Sequence, residues 1–401
     1  MTSLVIAPSY RPRLRSNLAA ALVAEPDTFG VYDPNRIVPG YVPLSRRELD
    51  AVQLFAGDRS IAEIHHVVQL PIARLVDLVT ALDSGLLLDT PTFRNYLLGP
   101  IRKPSCIGCY SSEPSEIRKQ FRELFVGPGG PGLPDFTLPN RGNLRALLVP
   151  HMDFNRGGVT YGWGFKELAE QSDASLFVVI ATSHYSPHRF TLTRMNFATP
   201  LGEVPTDQAY LERLVHHYGP GLFDDPLAHL PEHSVELEVI LLQYLLENRR
   251  PFRIVPLVVG SFRDCVELKS DPALASDIAR MVQALQKAER ESSEKVCYII
   301  SGDLAHIGPK FDDPEPVAEP FLSHSLKQDT AILERLNAVD TAGYFGVIAA
   351  EQDARRICGL PPTWLTLSAL QPKSGRVLHY NRYIHPTGHE SVSFAAAAFY
   401  D

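Results

Sequence analysis

The sequence predicts an α/β protein in which a sheet is covered by helices on both faces, with a small helical domain in front of it. From Leu144 onward, solidly apolar runs of strand length alternate with helical stretches, which is typical of strands buried on both faces. Before residue 95 the chain carries short helical periodicities instead. With 401 residues, 45% apolar and 21% charged, the chain is long enough for two or three domains with a large core.

Six apolar runs of strand length predict the larger domain, residues 144–401. The predicted strands are RALLVP, SLFVVIATS, FRIVPLVVG, KVCYIISGD, RVLHYN and SVSFAAAAFY. The helical stretches between them are WGFKELAEQ, VELEVILLQYLLEN and DIARMVQALQKAER. Because ligands of such sheets bind outside the ends of the strands, the residues that follow each run are the first candidates for a site.

Residues 1–95 are predicted to form a small winged-helix domain. Two capping boxes, each a serine followed three residues later by a glutamate, open SRRELDAVQLFAG and SIAEIHHVVQ. A third helical pattern runs between Pro71 and Gly85, followed by a possible short strand, LLLDT. With VYDPNRIVPGYVPLS as a preceding hairpin, the arrangement resembles the PqqD-like domains, which bind a peptide as an added strand. An accessory winged helix that binds nothing is the alternative.

Residues 96–143 are rich in Pro and Gly around one amphipathic stretch, and we predict a linker that contains one helix. Cys106 and Cys109 stand here in the CxxC spacing that redox and zinc sites use. A zinc site needs two more ligands, so two loop thiols are the simpler interpretation, and a site completed by another subunit is the alternative. The five cysteines are too scattered for a disulfide framework, and we expect reduced thiols.

Composition also bears on the partners. A net charge of −8 and a pI near 6.0 provide no electrostatic footprint for nucleic acid. No stretch approaches the ~20 uninterrupted apolar residues that a transmembrane helix needs, and the first residues lack the pattern of a secretion signal. We therefore expect a cytoplasmic protein that binds neither nucleic acid nor membranes.

Polar side chains follow three of the predicted strands. His151 comes after ALLVP, His184 after FVVIATS, and Asp303 and His306 after YIISG. Cys358 precedes a Gly and two prolines, where a turn is expected to begin a helix. If the strands are parallel, these side chains converge at one edge of the sheet.

Two neutral imidazoles and one anionic ligand form the facial arrangement of mononuclear non-haem iron enzymes, which keeps positions open for substrate and dioxygen. A thiolate in place of the usual carboxylate also admits copper(I) or zinc. Any single His after a strand is more often a hydrogen-bonded loop residue, and a single Cys is usually packing. Three strands that all end in such residues are harder to explain by burial alone, since buried polar groups without partners are costly.

Several motifs of the larger domain occur together and in order from about Leu144 to the C-terminus: VPHMDF, ATSHY, EHSVELEVILLQYL, PLVVG, SGDLAHIGPKF and RRICGLPPTWLTLSAL. In this respect the domain resembles the MEMO-like family, whose bacterial members are often named AmmeMemoRadiSam system protein B. The resemblance covers roughly two thirds of the chain and nothing before the linker.

The resemblance implies a fold like that of class III extradiol dioxygenases. It also implies a metal held by His151, His184 and Cys358. Asp303 and His306 fall on additional pocket residues, and His306 is the expected acid or base. Iron(II) is the expected metal, with copper or zinc as alternatives.

Two further residues near these motifs have open roles. His233, at the start of the VELEVILLQYL helix, is a candidate pocket wall and substrate contact. Where relatives read PHAGY, this chain reads PHMDF, so Asp153 adds a carboxylate near His151. We expect Asp153 to bond the following turn or to orient an imidazole, and metal ligation is the remaining alternative.

The expected function is therefore a metal-dependent, dioxygenase-like oxidation of a small phenolic molecule or a modified peptide. The alternative is a non-catalytic metal-binding scaffold whose winged-helix domain recruits a radical SAM enzyme or a peptide. Catalysis requires an open coordination position, whereas a scaffold requires only that partner binding persists without the metal.

Overall fold

The computed structural model describes residues 6–23, 25–34, 37–38, 40–137 and 143–401. It divides into two compact units, residues 1–100 and residues 101–401. The sequence predicts boundaries at residues 95 and 143, whereas the structure has one boundary, after Pro100. Within the described residues, no helix combines the length and the apolar character needed to cross a bilayer.

The N-terminal unit consists of a small sheet followed by four helices. Its elements are β1 (Ala19–Leu22), β2 (Thr28–Tyr32), β3 (Tyr41–Ser45), α1 (Arg46–Val52), α2 (Ile61–Val68), α3 (Ile72–Ser84) and α4 (Pro91–Leu97). The strands pair antiparallel in the order β1-β2-β3. A core of its own, which includes Ile61, Leu75 and Leu78, holds the helices against this sheet.

Local signals fix the helix boundaries of this unit. The Glu48 and Glu63 carboxylates accept hydrogen bonds from the N–H groups of Ser45 at 2.7 Å and Ser60 at 2.6 Å. Both predicted capping boxes are therefore present. Helix α3 lies between Pro71 and Gly85, as predicted. Residues 35, 36 and 39 of the predicted hairpin lie outside the described residues.

The second unit is built on an eight-stranded sheet. Its strands are β5 (Leu144–Val149), β6 (Leu176–Thr182), β7 (Phe190–Leu192), β10 (Arg253–Val259), β11 (Val296–Ser301), β12 (His306–Ile307), β13 (Ser374–Ile384) and β14 (Ser391–Tyr400). Their order is β12-β14-β5-β11-β6-β10-β7, and β13 pairs with β14. Strands β5, β11, β6 and β10 run parallel to one another. The carboxyl ends of these four strands therefore meet at one edge of the sheet.

Helices cover both faces of this sheet. They are α5 (Pro114–Val126), α6 (Phe154–Gly157), α7 (Val159–Gln171), α8 (Gln208–Tyr218), α9 (His233–Leu246), α10 (Arg263–Leu268), α11 (Ser276–Arg290), α12 (Phe321–Asn337), α13 (Thr341–Ala350) and α14 (Leu360–Leu370). Alternate residues of β6 belong to different cores: Val178 and Ile180 to one, Phe177 and Val179 to the other. Burial of both faces explains why the central parallel strands are apolar at most positions.

The segment that we predicted as a linker contributes to the second unit. Strand β4 (Ile101–Arg102) joins β8 (Asn196–Thr199) and β9 (Gly202–Val204) in a small second sheet. Helix α5 is the predicted amphipathic helix, and its buried residues Phe121 and Phe125 belong to the same core as α7 and α9. Residues 138–142 of the segment lie outside the described residues.

Candidate metal centre

Three neighbouring parallel strands carry a polar residue at the same position relative to their ends. His151, His184 and Asp303 each come two residues after the last residue of β5, β6 and β11. Because β11 lies between β5 and β6, the two imidazoles flank the Asp303 strand. Their ring centroids are 5.1 Å apart. The sheet thus brings together residues that are far apart in the sequence.

A third imidazole completes this group. His233 is the first residue of α9, and its ring centroid lies 5.4 Å from that of His151 and 4.8 Å from that of His184. One nitrogen from each of the three rings lies within 4.8 Å of the others. The sequence indicated His233 as a pocket residue, and its position also suits a metal ligand.

A second group shares His151 with the first. The Cys358 sulfur lies 3.3 Å from Nε2 of His151, and an Asp303 carboxylate oxygen lies 3.7 Å from the same nitrogen. One donor atom from each of these three residues lies within 4.8 Å of the others. His184 and Cys358, which we expected to bind one metal together, fall in different groups that meet at His151.

Two glycines allow the Cys358 turn to reach the end of β11. The N–H of Gly359 donates to the carbonyl of Asp303 at 2.9 Å, and the N–H of Asp303 donates to the Cys358 sulfur at 3.3 Å. A Cβ atom on Gly302 would lie 2.5 Å from Cα of Gly359. Any side chain at residue 302 would therefore push the turn and its thiol away from His151.

Glu232 holds His184 in place. Its carboxylate accepts the backbone N–H of His184 at 2.7 Å and contacts Nδ1 at 2.9 Å. The same carboxylate caps α9 by accepting the N–H of Ser234 at 3.1 Å. With Nδ1–H donated to Glu232, Nε2 of His184 is the nitrogen that can bind a metal. Nothing in the sequence indicated this pairing, because the two residues lie 48 positions apart.

Burial keeps most of these groups uncharged. It lowers the pKa of His151 well below its usual range, and it lowers the pKa values of His233 and His306 to about 4. Burial also raises the pKa of Asp303 to about 7 and raises that of the Cys358 thiol well above its ordinary value. A neutral imidazole can bind a metal directly, whereas the thiol must lose its proton before its sulfur can bind a metal.

His184 and Glu232 form the charged part of the site. Desolvation disfavours the protonated imidazole of His184, but the Glu232 carboxylate outweighs it and raises the pKa of His184. Burial disfavours the charged form of Glu232, yet His184 lowers the pKa of Glu232 far below its ordinary value. The His184 side chain is 32% exposed, whereas that of Glu232 is 1% exposed.

Two cavities meet at His184. The first, of about 310 Å³, is lined by Cys109, His151, Met152, Asp153, Arg156, His184, His233, Asp303, His306, Lys310, Phe311, Glu390 and Val392. The second, of about 350 Å³, is lined by His184 and Cys358 together with Asp353 and Arg356. The polar residues of the parallel-strand ends therefore face space that a small ligand can enter.

The remaining predicted residues have defined positions. Nδ1 of His306 contacts the carbonyls of Leu304 at 3.1 Å and Arg356 at 3.0 Å, so Nδ1 carries the proton and Nε2 is left as the acceptor. Asp153 caps the short helix α6 by accepting the N–H groups of Asn155 and Arg156, both at 3.2 Å. The turn role that we expected for Asp153 is thus present.

The expectation of reduced thiols in the CxxC stretch is wrong, because Cys106 and Cys109 form a disulfide. A β-turn brings the two side chains together: the N–H of Cys109 donates to the carbonyl of Cys106 at 3.0 Å, and Gly108 has a φ of +113°. Cys265, Cys297 and Cys358 are free. The CxxC spacing was the sequence signal for this pair.

Comparisons with known proteins agree on one family. The family described as Memo-like protein matches residues 102–399, a range that includes most of the predicted linker. A MEMO1 family protein of Aquifex aeolicus is 26% identical over 93% of this chain and 96% of its own length. A second, from Methanothermobacter thermautotrophicus, is 29% identical over 67% of this chain and 87% of its own length. A third, from Methanopyrus kandleri, is 28% identical over 74% of this chain and 98% of its own length.

The Aquifex alignment covers more of the chain than residues 102–399, so it extends into the N-terminal unit. The family match spans the sheet, its helices and every residue of both ligand groups. The resemblance seen in the sequence motifs is therefore confirmed, and the chain belongs to the Memo-like protein family.

Proposed function

We propose that this protein is a metal-dependent, dioxygenase-like oxidoreductase that acts on a small phenolic or peptide-derived substrate. The observation that supports this proposal is the convergence of three imidazoles, a thiol and a carboxylate at the carboxyl ends of the parallel strands. Such a set of polar groups is costly to bury without a ligand. Its position beside a cavity gives a ligand access.

The proposed metal ligands are His151, His184 and Cys358. The donor set fits iron(II), and it also suits copper or zinc, since imidazole binds all three and a thiolate favours the softer ions. Iron or copper held by these residues would supply the redox chemistry and the open coordination positions that such an oxidation needs, whereas zinc has no redox change to offer. Glu232 fixes the His184 ring, and the backbone N–H of His151 is held by the Asp303 carboxylate at 3.1 Å.

The protein's own acid-base chemistry is assigned to His306. Its Nδ1–H is fixed by two carbonyls, and burial lowers its pKa to about 4. A neutral imidazole of this kind accepts a proton at Nε2 from a phenolic hydroxyl in the cavity. Asp303 holds His151, and His233 contacts the substrate from the helix side. Arg156 and Lys310 also line the cavity, where they pair with Glu390.

The test is metal content and turnover in protein purified without oxygen. We expect near-stoichiometric metal in the wild type and at least tenfold less in Cys358→Ala and His184→Ala. His306→Ala should retain the metal and lose dioxygen-dependent turnover of catechols and related phenols. His216→Ala, an exposed histidine on α8, is the matched control and should change neither quantity. Absence of bound iron, copper and zinc after reconstitution of the wild type would overturn the proposal.

A second function, recruitment of a peptide or of a radical SAM partner, is favoured by the N-terminal sheet. In the order β1-β2-β3, β1 is an edge strand whose last residue, Leu22, is 70% exposed. The other edge, β3, contains Pro43, which lacks an N–H for a further strand. A peptide would therefore add along β1.

Isothermal titration of the full-length protein with peptides encoded near its gene tests this second function. Ala20→Pro and Ala21→Pro are measured separately, because successive residues direct their N–H groups to opposite sides of the strand. We expect one of them to abolish micromolar binding. A protein that only recruits partners keeps this binding in Cys358→Ala and shows no turnover in any form. No binding by the wild type would overturn the recruitment function.

A further inference from the structure

We propose that Cys106 and Cys109 are a redox-active dithiol–disulfide site, whose reduced form supplies the Cys109 thiolate to the metal centre. This inference rests on the metal binding proposed above. Cys109 lines the same cavity as His151, His184 and His233, while Cys106 is not among the lining residues. Of the two cysteines, Cys109 is therefore the one that borders the cavity shared by the three imidazoles.

The loop that holds the pair is fastened to the helix that begins with His233. Glu236 lies one turn after His233 on α9 and is fully buried. Its carboxylate accepts the N–H groups of Ser105 at 2.9 Å and Cys106 at 3.1 Å. The same carboxylate accepts the hydroxyl of Tyr110 and pairs with Arg102. These bonds do not involve the sulfurs, so they persist when the disulfide is reduced.

A reductant can reach this disulfide from solvent. Ile107, at the tip of the turn, is 49% exposed, and Gly108 beside it is also exposed. Both cysteines of the pair are half-buried, in contrast to Cys265 and Cys297, which are buried in apolar cores. Access of an external thiolate is the first requirement for thiol–disulfide exchange.

An external dithiol can supply both electrons that reduction of the Cys106–Cys109 disulfide requires. A thiolate of the reductant attacks the Cys106 sulfur, the S–S bond breaks, and Cys109 leaves as a thiolate. The second thiol of the reductant then displaces Cys106, so the reductant becomes a disulfide and the protein gains two electrons and two protons. When a metal binds the Cys109 sulfur, the proton of that thiol is released to solvent. A second soft donor favours copper(I) and zinc.

Copper(I) affinity in the two redox states tests the inference. The full-length protein is compared in its oxidised form and after reduction with dithiothreitol and anaerobic desalting, by competition with a chromophoric copper(I) chelator. Alkylation and mass spectrometry should show two additional thiols after reduction without denaturant. We expect copper(I) to bind at least tenfold more tightly to the reduced form. His184→Ala should abolish this gain.

The two single cysteine variants form a matched pair. Cys106→Ser leaves a permanent Cys109 thiol and should bind copper(I) as tightly as the reduced wild type, with or without reductant. Cys109→Ser leaves a permanent Cys106 thiol and should bind as the oxidised wild type does.

The outcomes separate this inference from the metal centre itself. Equal copper(I) affinity of the two redox states, or equal affinity of the two serine variants, would overturn the role of Cys109 and leave the centre intact. A disulfide that dithiothreitol does not reduce would overturn the redox site. Absence of copper(I) binding in both states, together with absence of iron and zinc, would overturn the proposed centre and this inference with it.

Discussion

The sulfur of Cys358 lies 3.3 Å from Nε2 of His151, although 207 positions separate the two residues. A thiolate and an imidazole bound to one tetrahedral ion are roughly 3.5 Å apart, given metal distances of about 2.3 and 2.0 Å. The pair is thus already spaced as neighbouring ligands. The distance between the Cys358 sulfur and Nε2 of His151 depends on the end of β11, because the Cys358 turn packs against it.

Gly302→Ala should weaken metal binding at least tenfold. Its new Cβ atom would lie 2.5 Å from Cα of Gly359, which forces the Cys358 turn away from His151 and costs about 1–3 kcal/mol of stability. Metal affinity and urea unfolding measure the two effects. Gly346→Ala is the control, because its Cβ would meet nothing within 4 Å. Wild-type metal affinity in Gly302→Ala would contradict the role of the turn.

Glu232→Gln should reduce the number of protons released when metal binds near neutral pH. Glu232 raises the pKa of His184, so in the wild type a bound metal must displace a proton from this ring as well as from Cys358. Metal affinity therefore falls as pH falls through the raised pKa of His184. With a neutral Gln at residue 232, the pKa of His184 drops. The ring is then already neutral when the metal binds, so His184 releases no proton.

Calorimetry in buffers of different ionisation enthalpy counts the released protons. We expect a decrease of up to one proton per metal for Glu232→Gln. The slope of the logarithm of affinity against pH should also become shallower below the raised pKa of His184. Equal proton release by both proteins would show that His184 is already neutral in the wild type.

Glu238→Gln should stabilise the protein increasingly as pH rises. Glu238 is fully buried on α9, and neither carboxylate oxygen has a hydrogen-bond partner among the described residues. Burial raises its pKa well above the ordinary value, so the folded state binds this proton more tightly than the unfolded state. Wild-type stability from this group is therefore present at low pH and is lost as pH rises toward the raised pKa.

Urea unfolding at pH 5 and pH 8 checks the Glu238 prediction. The advantage of Glu238→Gln over the wild type should grow by up to about 1.4 kcal/mol per pH unit, as linkage requires for one proton. An advantage that is the same at both pH values would mean that the Glu238 carboxyl does not titrate differently on folding.

Arg102→Ala should destabilise the second unit by about 3–5 kcal/mol, because it leaves the buried Glu236 carboxylate without its cation. Both side chains of this pair are 0% exposed. Urea unfolding measures the loss, and Arg118→Ala is the matched control. The Arg118–Glu247 pair is exposed, so that change should cost less than about 1 kcal/mol. A similar small cost for both variants would contradict an anchoring role for Glu236.

Most of the main strands were predictable because burial on both faces leaves a strong local signal. All six predicted runs correspond to strands, namely β5, β6, β10, β11, β13 and β14. Strands β7, β8 and β9 have only three or four residues each, too few for a period to be recognised. Pro and Gly between residues 96 and 143 indicated a linker, although α5 packs into the core of the second unit.

The sequence by itself determined which chemical groups stand at the strand ends, because a polar residue directly after a solid apolar run is visible without a structure. His151, His184 and Asp303 were found in this way, and Cys358 was found from the Gly and the two prolines that follow it. Tertiary structure alone decided that His233 joins His151 and His184, and that Asp303 and Cys358 form a second group that shares His151. It also decided that Cys106 and Cys109 pair with each other. Those distances depend on strand order and on the paths of loops and helices, which local periodicity does not encode.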